Sequence, residues 1–228
     1  MINRRDVVAL LGATALSPLF GESFLRQEPH HTGPGEPLSA EEALARLKEG
    51  NQRFVSGKSR HDHESAALRH QLVSGQRPFA VVLGCSDSRV PVELIFDQGF
   101  GDLFVIRVAG NVMTDDVIGS VEYARIHLNT RVLVILGHEG CGAVTAAVEA
   151  RSHASSDPHG IQSIVTLLQK SIGNVDPAIP KAEQVHRCVE ANVRWALEDI
   201  KKMPEMQNTP LHTVGAVYDL EGTVRWLS

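Results

Sequence analysis

Two short segments of this 228-residue chain carry side chains that could bind a metal ion and put it to work. Gly84-Cys85-Ser86-Asp87-Ser88-Arg89-Val90-Pro91 sets a thiol, a carboxylate and a guanidinium at alternate positions. Gly137-His138-Glu139-Gly140-Cys141-Gly142 sets an imidazole and a thiol three residues apart, at the start of an expected helix, where both can point at one ion. Two thiolates and an imidazole form a zinc donor set, and three protein donors leave the fourth position open for catalysis. Asp87 is the candidate for that fourth position. Arg89, two residues on, competes for the same carboxylate by a bidentate pair. With Asp87 on zinc the site is closed; with Asp87 on Arg89, water can enter and be acidified. Because thiolates donate more charge than imidazoles, a mildly alkaline activity profile is expected.

Convergence of these segments depends on the elements around them. Phe79 to Leu83, Leu103 to Val108 and Val132 to Leu136 are short apolar, β-branched runs that read as buried strands. Helices are expected over 39–56, opened by a Ser39/Glu42 capping box, and over 62–74, 117–128, 141–149, 160–172 and 181–203. A further short helix should start at Pro91. Thr213 to Leu220, a turn at Glu221-Gly222, and Thr223 to Leu227 read as a hairpin. Alternating strands and helices predict an α/β fold: a mainly parallel sheet of about four strands plus an antiparallel edge strand, with helices on both faces. Cys85 and His138 then stand at the carboxyl ends of strands, where such folds gather functional groups.

Other readings of the same residues are weaker. Cys188 falls at helical spacing with Val185, Val189 and Asn192 and reads as a core residue. A phosphatase-type anion cradle around Cys85 and Arg89 would have to tolerate Asp87 beside its anion. No two cysteines have redox-motif spacing, and three cysteines cannot build a disulfide framework. A net charge of −5 and the lack of clustered Lys and Arg give nucleic acid no electrostatic footprint.

At the N-terminus, Arg4-Arg5 precedes an apolar run from Val7 to Phe20, too short to span a bilayer, which needs about 20 apolar residues. Residues 1–26 are therefore read as an export signal of the twin-arginine type, and 27–37 as a linker. That reading implies a periplasmic or otherwise exported bacterial protein, and a cytoplasmic one if the segment is not a signal, in either case without stable membrane insertion. Residues 38–228 form the functional domain.

At the two donor segments the sequence resembles the beta class of carbonic anhydrases. Cys85-Ser86-Asp87-Ser88-Arg89 and His138-Glu139-Gly140-Cys141 match that class's signature motifs. The resemblance runs from about Leu44 to the C-terminus and includes Gly50-Asn51-Gln52-Arg53-Phe54, Arg107-Val108-Ala109-Gly110-Asn111 and Gly119 to Ala124. It implies one zinc ion per chain on Cys85, His138 and Cys141, with Asp87 and Arg89 as the catalytic pair that opens and closes the site. It implies reversible hydration of carbon dioxide to bicarbonate by a zinc-bound hydroxide. It also implies a homodimer or a dimer of dimers, with helix 39–56 as an arm embracing the partner. Some members bind an inhibitory bicarbonate through a Trp, an Arg and a Tyr. Arg107 and Tyr218 match two of these, but the Trp position is Val82. Hydrolases of carbon disulfide or carbonyl sulfide share every zinc ligand, so the motifs alone leave that substrate open. A zinc-binding protein without catalysis would be expected to lack Asp87 or Arg89, and both are present.

Overall fold

The structure, a computed structural model, describes residues 38–152, 157–203, 206 and 211–227. The expected export signal 1–26 and the expected linker 27–37 lie outside them. Ser39 caps α1 (Ala40–Val55) as the sequence predicts: its hydroxyl accepts from Glu42 N–H, and the Glu42 carboxylate accepts from Ser39 N–H. In the apolar stripe of α1, Ala43 and Leu47 are fully buried on the chain's own body, Leu44 and Phe54 are half-buried against it, and Val55 is exposed. Gly50 is required by that seat, because a Cβ there would lie 1.8 Å from the Phe96 carbonyl oxygen. Farther along α1, the Asn51 amide donates to Ile95 O at 3.1 Å and Gly222 O at 2.8 Å, and accepts from Val224 N–H at 3.0 Å.

Expected helix 62–74 is shorter than the pattern suggested. It resolves into α2 (Ala66–Gln71) and a 3-10 turn at Leu72–Ser74. The Ser65 hydroxyl accepts from Leu68 N–H and so starts the helix late. Residues before it are tied to another part of the chain: the His63 ring bonds the Asp102 carboxylate at 2.8 Å, and Asp97 accepts from the Arg60 and His61 amides. These contacts hold His61 and His63 at positive φ, which no helix allows.

The remaining elements follow in order: β1 (Ala80–Gly84), α3 (Val92–Ile95), β2 (Leu103–Arg107), α4 (Asp115–Leu128), β3 (Val132–His138), α5 (Gly142–Glu149), α6 (His159–Ser171), α7 (Lys181–Lys202), β4 (His212–Tyr218) and β5 (Val224–Leu227). Pro91 precedes α3 as its cap rather than opening it. The sheet has the order β2-β1-β3-β4-β5, parallel throughout except for β5, which runs antiparallel to β4. Every residue of β1 and β3 is buried, as their unbroken apolar runs require in a sheet covered on both faces. Ala80, Val82, Val132, Val134 and Leu136 face α1 and α3; Val81, Leu83, Leu133 and Ile135 face α4 to α7.

This strand order sets the site. After β1 the chain turns toward β2; after β3 it turns the other way, toward β4. The crevice at the carboxyl ends of β1 and β3 is thus a topological switch point. Gly84 is level with Leu136, so Cys85 and His138 leave the sheet at the same edge.

Candidate metal centre

The structure brings Cys85, His138 and Cys141 together: their donor atoms all lie within 4.8 Å of one another, and all three residues are buried. Cys85 comes from the loop after β1, His138 is the last residue of β3, and Cys141 caps α5. Glycines flank them for steric reasons. A Cβ on Gly137 would meet Val193 Cγ2 at 2.8 Å, and Gly140 sits at φ +61°. Cys188 is also buried but lies outside the cluster, in the core on α7, as expected.

The His138 ring is aligned by its neighbour. Its Nδ1 lies 2.9 Å from the Glu139 carbonyl oxygen, which can only accept, so the proton is assigned to Nδ1. Nε2 then carries a bare lone pair. It is buried and has no hydrogen-bond partner. An orphaned imidazole nitrogen in a fully buried ring is costly unless something electrophilic occupies the space before it. Facing two sulfurs, it fits a zinc ion, and the carbonyl behind it is the usual second support of such a ligand.

The two thiols divide one proton. The hydrogen bond from Cys141 pulls Cys85 down to about 4 against its burial, with help from His138 and from the amides of Asp87 and Gly110. The same bond, together with burial, holds Cys141 above the ordinary thiol range. The pair thus favours the charged form at Cys85 over Cys141, and a bound dication would favour loss of the proton from both.

Asp87 stands beside this cluster and is turned to Arg89. Its Oδ1 accepts from Arg89 N and Nε, each at 2.9 Å, and its Oδ2 accepts from Nη2 at 2.7 Å. The same guanidinium holds the carboxyl far below the usual carboxylate range. Oδ2 lies 3.9 Å from His138 Nε2, at the margin of the three-donor cluster. Arg89 also donates to Gly140 O at 3.3 Å, which links the two donor segments.

Several supports were not legible from residue types. Arg107 clamps the first donor loop by donating to Cys85 O at 3.0 Å and Asp87 O at 2.7 Å. Gly110 N–H donates to Cys85 Sγ at 3.3 Å. Glu139 is held by His186 at 2.7 Å, and Glu190, which Arg225 pairs at 2.5 Å, stands on the other side of that ring. Val82 is fully buried in β1.

Comparison with known proteins places this geometry. A family model described as carbonic anhydrase matches residues 80–224. Carbonic anhydrase 2 of Mycobacterium tuberculosis is 46% identical over 136 residues, covering 60% of this chain and 64% of that protein. The chain thus spans under two thirds of that relative's length. Among solved structures, the beta-carbonic anhydrase CafA of Aspergillus fumigatus is 28% identical, with a TM-score of 0.62 over 82% of this chain and 90% of that one. A tetrameric beta-carbonic anhydrase of Sordaria macrospora shares the fold, with a TM-score of 0.65 at 23% identity over 82% of this chain and 98% of that one.

Proposed function

The chain belongs to the carbonic anhydrase family, in its beta class, and from that premise we propose that it catalyses reversible hydration of carbon dioxide to bicarbonate and a proton at a zinc ion held by Cys85, His138 and Cys141. The observation that carries this reading is the convergence of three donors around a buried, unpartnered imidazole nitrogen, with Asp87 beside them already committed to Arg89. Zinc bound there would supply the Lewis acidity that makes water a nucleophile near neutral pH.

The chain's own residues do the rest. Glu139 O fixes the His138 tautomer. Arg89 draws the Asp87 carboxylate to itself, which keeps the fourth position open to water. Because Arg89 keeps Asp87 ionised, Oδ2 remains an acceptor that can take an O–H from the attacking water and turn the water's lone pair toward the carbon. Arg107 ties the Cys85 and Asp87 carbonyls to one guanidinium and so holds both residues in a fixed relation on the loop.

We also propose assembly as a homodimer or a dimer of dimers. β2 ends the sheet, and Val73 and Phe100 are 83% and 48% exposed. α1 seats one face on its own chain but leaves Val55 52% exposed, and α2 buries none of its residues in the single chain, so α1 as the expected arm and α2 beside it are both available to a partner. Light scattering should return at least twice the 24.8 kDa chain mass; a monomer at micromolar concentration would contradict it. Export through residues 1–26 is likewise our reading, and a reporter fused to them that stays in the cytoplasm would refute it.

The catalytic reading is tested by metal removal. Chelation should abolish carbon dioxide hydration, and one equivalent of zinc per chain should restore it. Turnover of carbonyl sulfide or carbon disulfide in place of carbon dioxide would reassign the substrate while keeping the centre.

A further inference from the structure

Helix α7 backs the donor loops. Val189 and Val193 crowd Gly137, so that a Cβ there would lie 3.0 Å from the former and 2.8 Å from the latter. One residue on this face is polar. Asn192 is 3% exposed and carries an amide into an otherwise apolar layer, which is costly unless every polar atom is used. Both ends of the amide are used. Nδ2 donates to Gly110 O at 3.0 Å, and Oδ1 lies 2.6 Å from Ser171 Oγ. With Nδ2 committed to a carbonyl, Oδ1 can only accept; the Ser171 hydroxyl, which also lies 2.9 Å from Leu168 O, makes its shorter contact to Oδ1.

Gly110 is the other half of the arrangement. It adopts φ +67°, and a Cβ would lie 3.0 Å from Leu168 Cδ1 and 3.1 Å from Ala143 Cβ. Packing confines it on that side, and Asn192 anchors its carbonyl. Its N–H points at Cys85 Sγ, 3.3 Å away. A hydrogen bond to a thiolate withdraws charge from the sulfur, and groups that orient or polarise a metal ligand tune the metal.

We infer that Asn192 is a positioning residue of the metal centre: by anchoring Gly110 it aims the Gly110 N–H at the Cys85 sulfur and so sets how strongly that sulfur donates to the ion. This rests on the reading of Cys85 as a metal ligand. The chain from Ser171 through Asn192 and Gly110 to Cys85 joins α6, α7 and the segment after β2 to one donor atom.

Cobalt(II) in place of zinc makes the sulfur visible through its sulfur-to-metal charge-transfer absorption. In the cobalt-loaded full-length protein, Asn192→Leu should move this band to longer wavelength, because the sulfur loses a hydrogen bond, and speed extraction of cobalt by a chelator by about tenfold, because the donor loop loses its anchor. Ser171→Ala, which removes only the outer anchor, should shift both in the same direction by less. Cys188→Ala, on the same helix and equally buried, should lower Tm with the band unmoved. If Asn192→Leu lowers Tm but keeps the parent band and extraction rate, Asn192 is only a satisfied core amide and the inference fails. Should that variant not fold, an unchanged band in Ser171→Ala overturns it equally. A parent protein with no sulfur-to-cobalt band at all removes the thiolate ligation itself, a separate failure that takes the metal reading with it.

Discussion

Asp87 has two potential partners within reach, and Arg89 has it. Three hydrogen bonds to that arginine against a 3.9 Å approach to His138 Nε2 decide the matter in the open arrangement. Asp87→Asn keeps the shape, removes the charge and turns one acceptor into a donor. It should leave zinc bound and slow hydration by about tenfold to a hundredfold. Unchanged turnover would remove Asp87 from the mechanism. Cys141→Ala takes away one of three donors and should lose zinc on dialysis; metal analysis showing about one zinc per chain after dialysis would exclude Cys141 as a ligand. Gly137→Ala places a methyl 2.8 Å from Val193 Cγ2 in a packed layer. The expected loss is about 1 to 3 kcal/mol of stability, read by chemical denaturation, with partial recovery when Val193→Ala is added.

At the scale of elements, α1 is held less by its own propensity than by Asn51. That side chain serves three backbone groups from two distant segments, the end of α3 and the β4–β5 turn. Asn51→Ala strands those buried groups, for a loss of about 3 kcal/mol and a lower urea midpoint at unchanged m-value. A change within 0.5 kcal/mol, about the effect of an ordinary surface substitution, would show that α1 is anchored by its apolar stripe alone. The same scale explains what could be read beforehand. β1 and β3 were legible because strands buried on both faces need continuous apolar runs, and α1 because Ser39 and Glu42 spell its cap. Segment 62–65 was not, since its conformation is set by Asp97 and Asp102, more than thirty positions away in sequence. Cys85, His138 and Cys141 were legible as donors because their chemistry lies in their side chains. The Gly110 N–H and the carbonyls clamped by Arg107 have no letter of their own.

For the whole molecule, acid is the vulnerable side. Burial raises Asp97, but Arg53 and the His61 and Arg60 amides outweigh it, and its carboxyl is held below the ordinary value. Asp219 is lowered in the same way by the amides of Thr223, Glu221 and Gly222, again against burial. Asp87 lies lower still. A carboxyl whose folded pKa is depressed binds fewer protons folded than unfolded. Its contribution is therefore fully present above the unfolded value of about 4 and is lost as pH falls through the folded one. Tm should hold from neutral pH to about 5 and then fall. Asp97→Asn should be less stable than the parent at neutral pH, with the gap closing below about pH 4. A gap of constant size across that range would contradict the assignment.

The most direct test of the central claim is stopped-flow hydration of carbon dioxide by the zinc-loaded protein between about pH 6.5 and about 9. The three-donor centre with its arginine-held Asp87 predicts hydration far above the uncatalysed rate, rising toward alkaline pH. Stoichiometric zinc with no hydration at any pH in that range would contradict it.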